Sequence, residues 1–172
     1  MAFGSPAAGS VPHFIGVLLG RQGGVELTHI PYRGTQPAIL DMVGGQLPAV
    51  SGPIGDFLPY LAGGKCRILV TSGAARNQFV GTVSTFTEQG LKDMAFSEWL
   101  GLFLPAGASA DVVQRASAAL RPALASPEIV DGLAAVGLKA ASSTPAELAA
   151  RLRADHDRWG PIVRSVGFTA ES

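Results

Sequence analysis

One local arrangement, used twice, constrains this chain most: a loop bearing Gly, Ser or Thr empties into a helix N-terminus at Gly9-Ser10 and again at Gly34-Thr35. At such an end the first backbone N–H groups lack intrahelical acceptors, and the helix dipole adds partial positive charge. A neighbouring hydroxyl then completes a place for a carboxylate or phosphate. Capping alone accounts for any one such loop, so the pair has to be read with its surroundings. Ser10 is the natural N-cap of an apolar helix from Val11 that ends at Gly23-Gly24, with Pro12 tolerated in the first turn. Val25 to Ile30 reads as a strand, Pro31-Tyr32-Arg33-Gly34 as a turn, and Thr35 to Val43 as a second helix stopped by Gly44-Gly45.

The same alternation continues. Pro48 to Ser51 suggests a short strand, Ile54 to Leu61 a helix, and Cys66 to Thr71 a buried strand, so the order reads α-β-α-β-α-β. That pattern argues for an α/β fold with a mostly parallel sheet, whose ligands collect at the carboxyl ends of the strands. A short helix is expected at Ser84 to Gln89 and a strand-like run at Phe96 to Leu104, after which the composition turns Ala-rich and helical. Val112, Val113, Ala116, Ala119, Leu120, Ala123 and Leu124 share one face of a helix, and Ser126-Pro127-Glu128 starts another. Leu138 to Ala141 reads as a strand. Thr144-Pro145-Ala146-Glu147 is a capping-box pattern opening a last helix, with Leu148, Leu152, His156, Trp159, Val163 and Val166 on one stripe. The organisational break falls near Leu100 to Gly107, dividing residues 1–100 from 101–172.

Composition narrows the function classes. Of the 172 residues 47% are apolar and 15% charged, with zero net charge, so the chain buries a core and offers no basic footprint for nucleic acid or an anionic membrane. No apolar stretch reaches the ~20 residues that span a bilayer, and the Met1-Ala2-Phe3-Gly4 start lacks the basic and apolar regions of a signal peptide. On that reading the chain is cytosolic or lacks its natural N-terminus. The single cysteine, Cys66, excludes an internal disulfide and reads as a buried strand residue.

Catalytic and metal constellations are missing from the sequence. His13, His29 and His156 form no ligand-spaced pair, so neither a metal nor a cofactor is expected. Ser5, Ser10 and Ser51 have no recognisable base, and Asp155 and Asp157, two apart on a helix, read as solvated surface. His156 reads as a packed structural residue. His13, in the first turn of the first helix, is placed to bond the preceding loop. An enzyme using His29 or His13 as a base is the weakest reading.

At these same residues the chain resembles a known family. The run Gly4-Ser5-Pro6-Ala7-Ala8-Gly9-Ser10-Val11-Pro12-His13, then His29-Ile30-Pro31-Tyr32-Arg33-Gly34 with Pro37-Ala38, carries the resemblance. Leu58-Pro59, Thr71-Ser72, Trp99, Gly101-Leu102, Pro105-Ala106-Gly107 and Trp159-Gly160 follow in collinear order. Together they resemble the second lobe of the Bug receptors, the extracytoplasmic substrate-binding proteins of tripartite tricarboxylate transporters. The resemblance implies a type II periplasmic-binding-protein-like lobe with a mixed, mostly parallel sheet flanked by helices. Residues 1–100 would be the ligand-binding lobe, and 101–172 would cross back to an incomplete first lobe.

It further implies a small carboxylate as ligand (a di- or tricarboxylate, an acidic amino acid or an aromatic acid), held by Gly9, Ser10 and His13 and by Gly34, Thr35 and Gln36. The full-length family member would be periplasmic and would deliver its ligand to membrane subunits of the transporter. Uncovered apolar faces on the C-terminal helices would favour a homo-oligomer. Three departures from the family pattern stand out: Ala7-Ala8 before Gly9, Gly52 where an aspartate is common, and Thr82-Val83-Ser84-Thr85 in a loop that usually carries Asp. The alternative is a truncated relative that no longer binds solute and acts as an interaction or regulatory module.

Overall fold

The computed structural model describes residues 1–91 and 93–169. They form two compact units, one of Met1–Glu98 together with the chain's end from Val163, the other of Trp99–Ile162. In the first unit β1 (Ala2–Ser5) pairs in parallel with β2 (Thr28–Pro31), from Ala2 opposite Thr28 to Ser5 opposite Pro31. Parallel neighbours need a crossover, and α1 (Val11–Gln22) provides it. Gly4 also bridges Val50 in parallel, donating its N–H to Ala49 O at 2.9 Å while Ser51 N–H donates to Gly4 O at 2.9 Å. β1 is therefore central, with residues 28–31 on one side and 49–51 on the other.

Ser10 caps α1 as expected, its Oγ accepting from His13 N–H at 3.3 Å. The helix presses on β1 at a glycine: a Cβ on Gly16 would stand 2.2 Å from Cε2 of the buried Phe3 ring. α2 (Thr35–Val43) begins after Gly34, whose φ of 98° no other residue adopts readily. It contributes Ala38 and Ile39, both 0% exposed, to a core shared with Phe3, Phe14, Leu47 and Phe57 of α3 (Ile54–Ala62).

In the second unit lie α4 (Ala110–Ala123), α5 (Pro127–Ala135) and most of α6 (Pro145–Ser165). The capping box expected at the start of α6 is present: Thr144 N–H donates to Glu147 Oε2 at 2.8 Å and Glu147 N–H returns to Thr144 Oγ1 at 3.2 Å. These bonds hold the Glu147 carboxyl below its ordinary pKa.

Several expected elements differ. β1 was hidden, because a four-residue strand holding Gly4 and Ser5 has little β-propensity and borrows its stability from neighbours on both sides. The strand expected from Val25 begins three residues later, since Val25 N–H turns back to Gly20 O at 2.9 Å to close α1. The runs 66–70, 96–104 and 138–141 form no ladder, and Leu69 (64% exposed) and Leu100 (83%) lie open to solvent. An apolar run becomes a strand only when another backbone pairs with it. Of the expected Cys66–Thr71 strand only Thr71 pairs, with Thr85, and Cys66 is half-buried, its thiol pushed up by desolvation.

Residues 84–89 close a single turn, Gln89 N–H to Thr85 O at 3.1 Å, before Gly90 ends it. His156 is not packed. Its side chain is 84% exposed beside Asp157, because the α6 stripe has no buried residue. Asp155, by contrast, is no mere surface acid: it accepts the Trp99 indole N–H at 2.5 Å, under a ring that also stacks with the Arg151 guanidinium at 5.4 Å.

Two glycine substitutions separate packing from propensity. Gly16→Ala gains about 1 kcal/mol of helix propensity but drives a methyl into Phe3, and overpacking of that kind costs about 1–3 kcal/mol, so a net loss of stability is expected. Gly132→Ala in α5, where a Cβ meets nothing within 4 Å, is expected to stabilise by about 0.5–1 kcal/mol. Urea denaturation of both variants measures the contrast.

Candidate functional site

The parallel register brings the two loops together at one edge. Tyr32 N–H donates to Ser5 O and Gly34 N–H to Pro6 O, each at 3.0 Å, so the loop leaving β1 and the loop leaving β2 are tied side by side at the carboxyl ends of their strands. The third segment joins them, since a Cβ on Gly52 would stand 2.6 Å from Thr35 Cγ2. Gly9, Ser10 and His13 lie on the first loop and helix start, and Gly34, Thr35 and Gln36 on the second.

The two helix starts differ in what they leave open. At α1, Gly9 N–H donates to His13 Nδ1 at 3.0 Å, His13 N–H to Ser10 Oγ, and Ser10 Oγ–H to Ala7 O at 2.7 Å. Pro12 has no N–H, so Val11 supplies the one unengaged amide of the first turn among the described residues. At α2 the backbone N–H groups of Thr35 and Gln36 have no acceptor among the described residues, and neither has the hydroxyl of Thr35, a residue only 6% exposed. Gln36 Oε1 accepts from Tyr60 of α3 at 3.0 Å, which leaves the Gln36 amide N–H groups as donors. Arg33, exposed two residues before Thr35, has no ion-pair partner among the described residues. The start of α2 is therefore rich in donors and poor in acceptors, the chemistry an anion requires.

A cluster that the sequence does not announce sits behind the first loop. Ser5, fully buried, lies 2.7 Å from His29 Nε2, and the His29 ring stacks on His13 with centroids 3.8 Å apart. Ser5 thus has the histidine partner that sequence spacing concealed. The β1–β2 pairing, with Ser5 opposite Pro31, is what brings them together. The Ser5 hydroxyl donates to Ala7 O at 3.1 Å, so its lone pairs accept from His29 Nε2–H. A buried serine that accepts from its histidine is not an activated nucleophile. Desolvation lowers the pKa of both rings, and that of His29, with the added effect of His13, to about 4. Two surface concavities, one lined by Gln114, Arg121 and Thr144 and the other by Val17, Arg21 and Leu27, include none of the six expected site residues.

Comparison with known proteins gives a consistent answer. Residues 1–168 match the model of the "Tripartite tricarboxylate transporter family receptor". A UPF0065 protein from the tcbD-tcbE intergenic region of Pseudomonas sp. strain P51 is 30% identical over 95% of this chain and 49% of its own length. A solved structure described as a periplasmic transporter superposes with TM-score 0.87 at 28% identity, covering 95% of this chain and 54% of that one. MatC from Rhodopseudomonas palustris, solved with bound malate, superposes with TM-score 0.78 at 30% identity, covering 94% and 56%. The chain thus spans about half the length of these proteins.

The two half-buried histidines set a pH dependence. Each folded-state pKa lies below the ordinary 6.5, so the folded state binds fewer protons than the unfolded chain below that pH, and stability is lost as pH falls from 6.5 towards about 4. Burial raises Glu98 and pulls the opposite way, so the comparison is made against His29→Gln. The stability difference between the wild type and this variant, from urea midpoints, is expected to be constant above 6.5 and to shift against the wild type below it.

Proposed function

This chain belongs to the tripartite tricarboxylate transporter receptor family, and we propose that it carries the carboxylate-binding lobe of a periplasmic solute receptor. The family is one of receptors, not of enzymes. No helix among the described residues is long and apolar enough to cross a membrane. The fold is that of a periplasmic-binding-protein lobe. In this reading residues 1–100 form the ligand lobe and 101–172 cross towards the other lobe, and the loaded receptor hands its ligand to the membrane subunits of the transporter.

The observation that carries the proposal is the open start of α2: N–H groups of Thr35 and Gln36 without an acceptor among the described residues, and the Thr35 hydroxyl, likewise without one there, on a residue only 6% exposed. Arg33 adds attraction at longer range. With zero net charge on the chain, recognition depends on these local dipoles rather than on a general field. The malate held by MatC supports a small dicarboxylate as the first ligand to test. The convergence of two helix starts on one sheet edge supports a working receptor over a relative that has left solute binding behind.

Thermal denaturation with a panel of dicarboxylates, tricarboxylates, acidic amino acids and aromatic acids tests the reading. A native-state ligand at about one hundred times its Kd stabilises by ~2.7 kcal/mol and raises Tm accordingly. Thr35→Val keeps the shape and removes the hydroxyl, and since a hydrogen bond to a charged group is worth ~1.5–3 kcal/mol, roughly tenfold or more of the affinity is expected to go. A Tm indifferent to every acid in the panel would contradict the proposal.

A further inference from the structure

The His13–His29 pair explains no part of carboxylate recognition at α2, yet it is built with care. Gly9 N–H donates to His13 Nδ1 at 3.0 Å, so that nitrogen must be unprotonated. His13 sits at the third position of α1, where the positive end of the helix dipole disfavours a cation. Among the described residues, the groups that touch the pair are uncharged. β1 brings Phe3, 5.2 Å from the His29 ring, and Ser5. The loop brings Gly9 and Ser10, α1 brings Phe14, and the C-terminal segment brings Phe168, 6.0 Å edge-on from His13. Among the described residues the one titratable neighbour of each ring is the other ring, 3.8 Å away.

We propose that the stacked His13–His29 pair is an acid-operated latch on the loop between β1 and α1: neutral His13 holds the Gly9 N–H, and protonation of His13 frees it. A proton on Nδ1 turns the acceptor into a donor, so two N–H groups face each other where one bond stood. The imidazolium also lies on the face of a second, desolvated imidazole. Gly9, with φ 75°, has the backbone freedom to swing away, leaving the loop tied by Ser10 Oγ–H to Ala7 O and by Gly34 N–H to Pro6 O. Release adds the Gly9 N–H to the unengaged Val11 N–H at the start of α1, beside a positive ring and at the same sheet edge as α2.

The latch goes beyond the carboxylate reading and is tested without ligand. Histidine ring resonances and amide protection factors, corrected for the intrinsic pH dependence of exchange, are followed by NMR from about pH 7.5 to about pH 4. Gly9 protection is expected to fall about tenfold over the interval in which His13 titrates, while Ile39 in the core stays protected. In His13→Asn, whose Oδ1 occupies the place of Nδ1 and cannot titrate, Gly9 protection is expected to stay level across the range. The latch is overturned if Gly9 protection is unchanged through the His13 titration, if it is lost in step with Ile39, or if H13N shows the same acid loss.

Discussion

The site proposed for this chain depends on the parallel pairing of β1 with β2. Parallel strands point their carboxyl ends the same way, so each must leave the sheet at one edge through a loop into a helix. Ser5 opposite Pro31 sets where that happens, and the bonds from Tyr32 to Ser5 and from Gly34 to Pro6 lock the two exits together. A shift of one residue would turn Phe3 out of the core, separate Ser5 from His29 and misplace Thr35. Gly16, which lets α1 approach Phe3 closely, and Gly34, which lets the chain turn into α2, serve the same pairing.

Pairing places both helix starts, but side chains decide what each can do. The first loop satisfies its own donors through Ser10, Ala7 and His13. The second does not, because Gly34 has no side chain with which to cap, and Tyr60 occupies the one acceptor that Gln36 carries. An unpaired donor at a half-covered edge costs free energy unless water or a ligand accepts from it, and a carboxylate accepts more strongly than water does. On the proposed reading, this asymmetry gives binding to the α2 start and control to the α1 start.

Much of this was legible in the sequence wherever a local rule decides the structure. Ser10 at the cap of α1, the limits of α2 between Gly34 and Gly44, and the Thr144–Glu147 box follow from capping chemistry that needs no tertiary partner. His13 bonding its own preceding loop belongs to the same class. Strands are less legible, since a strand is a property of a pair: Gly4 and Ser5 of β1 look like loop, and the apolar content of 96–104 points to a strand that forms no ladder. The Ser5–His29 contact and the Trp99–Asp155 bond join residues 24 and 56 positions apart, and no spacing rule announces such contacts. The chemistry of the α2 start was legible in kind through Gly34-Thr35. Its distinction from α1 emerged only once each donor could be followed to its acceptor.

The most direct test of the central claim is an amide chemical-shift titration of the chain with a four-carbon dicarboxylate. The account requires the largest saturable shifts at Thr35 and Gln36, with smaller ones at Val11 and Gly34, all at the edge fixed by β1 and β2. Saturable shifts confined to other surfaces, with Thr35 and Gln36 unmoved, would contradict it.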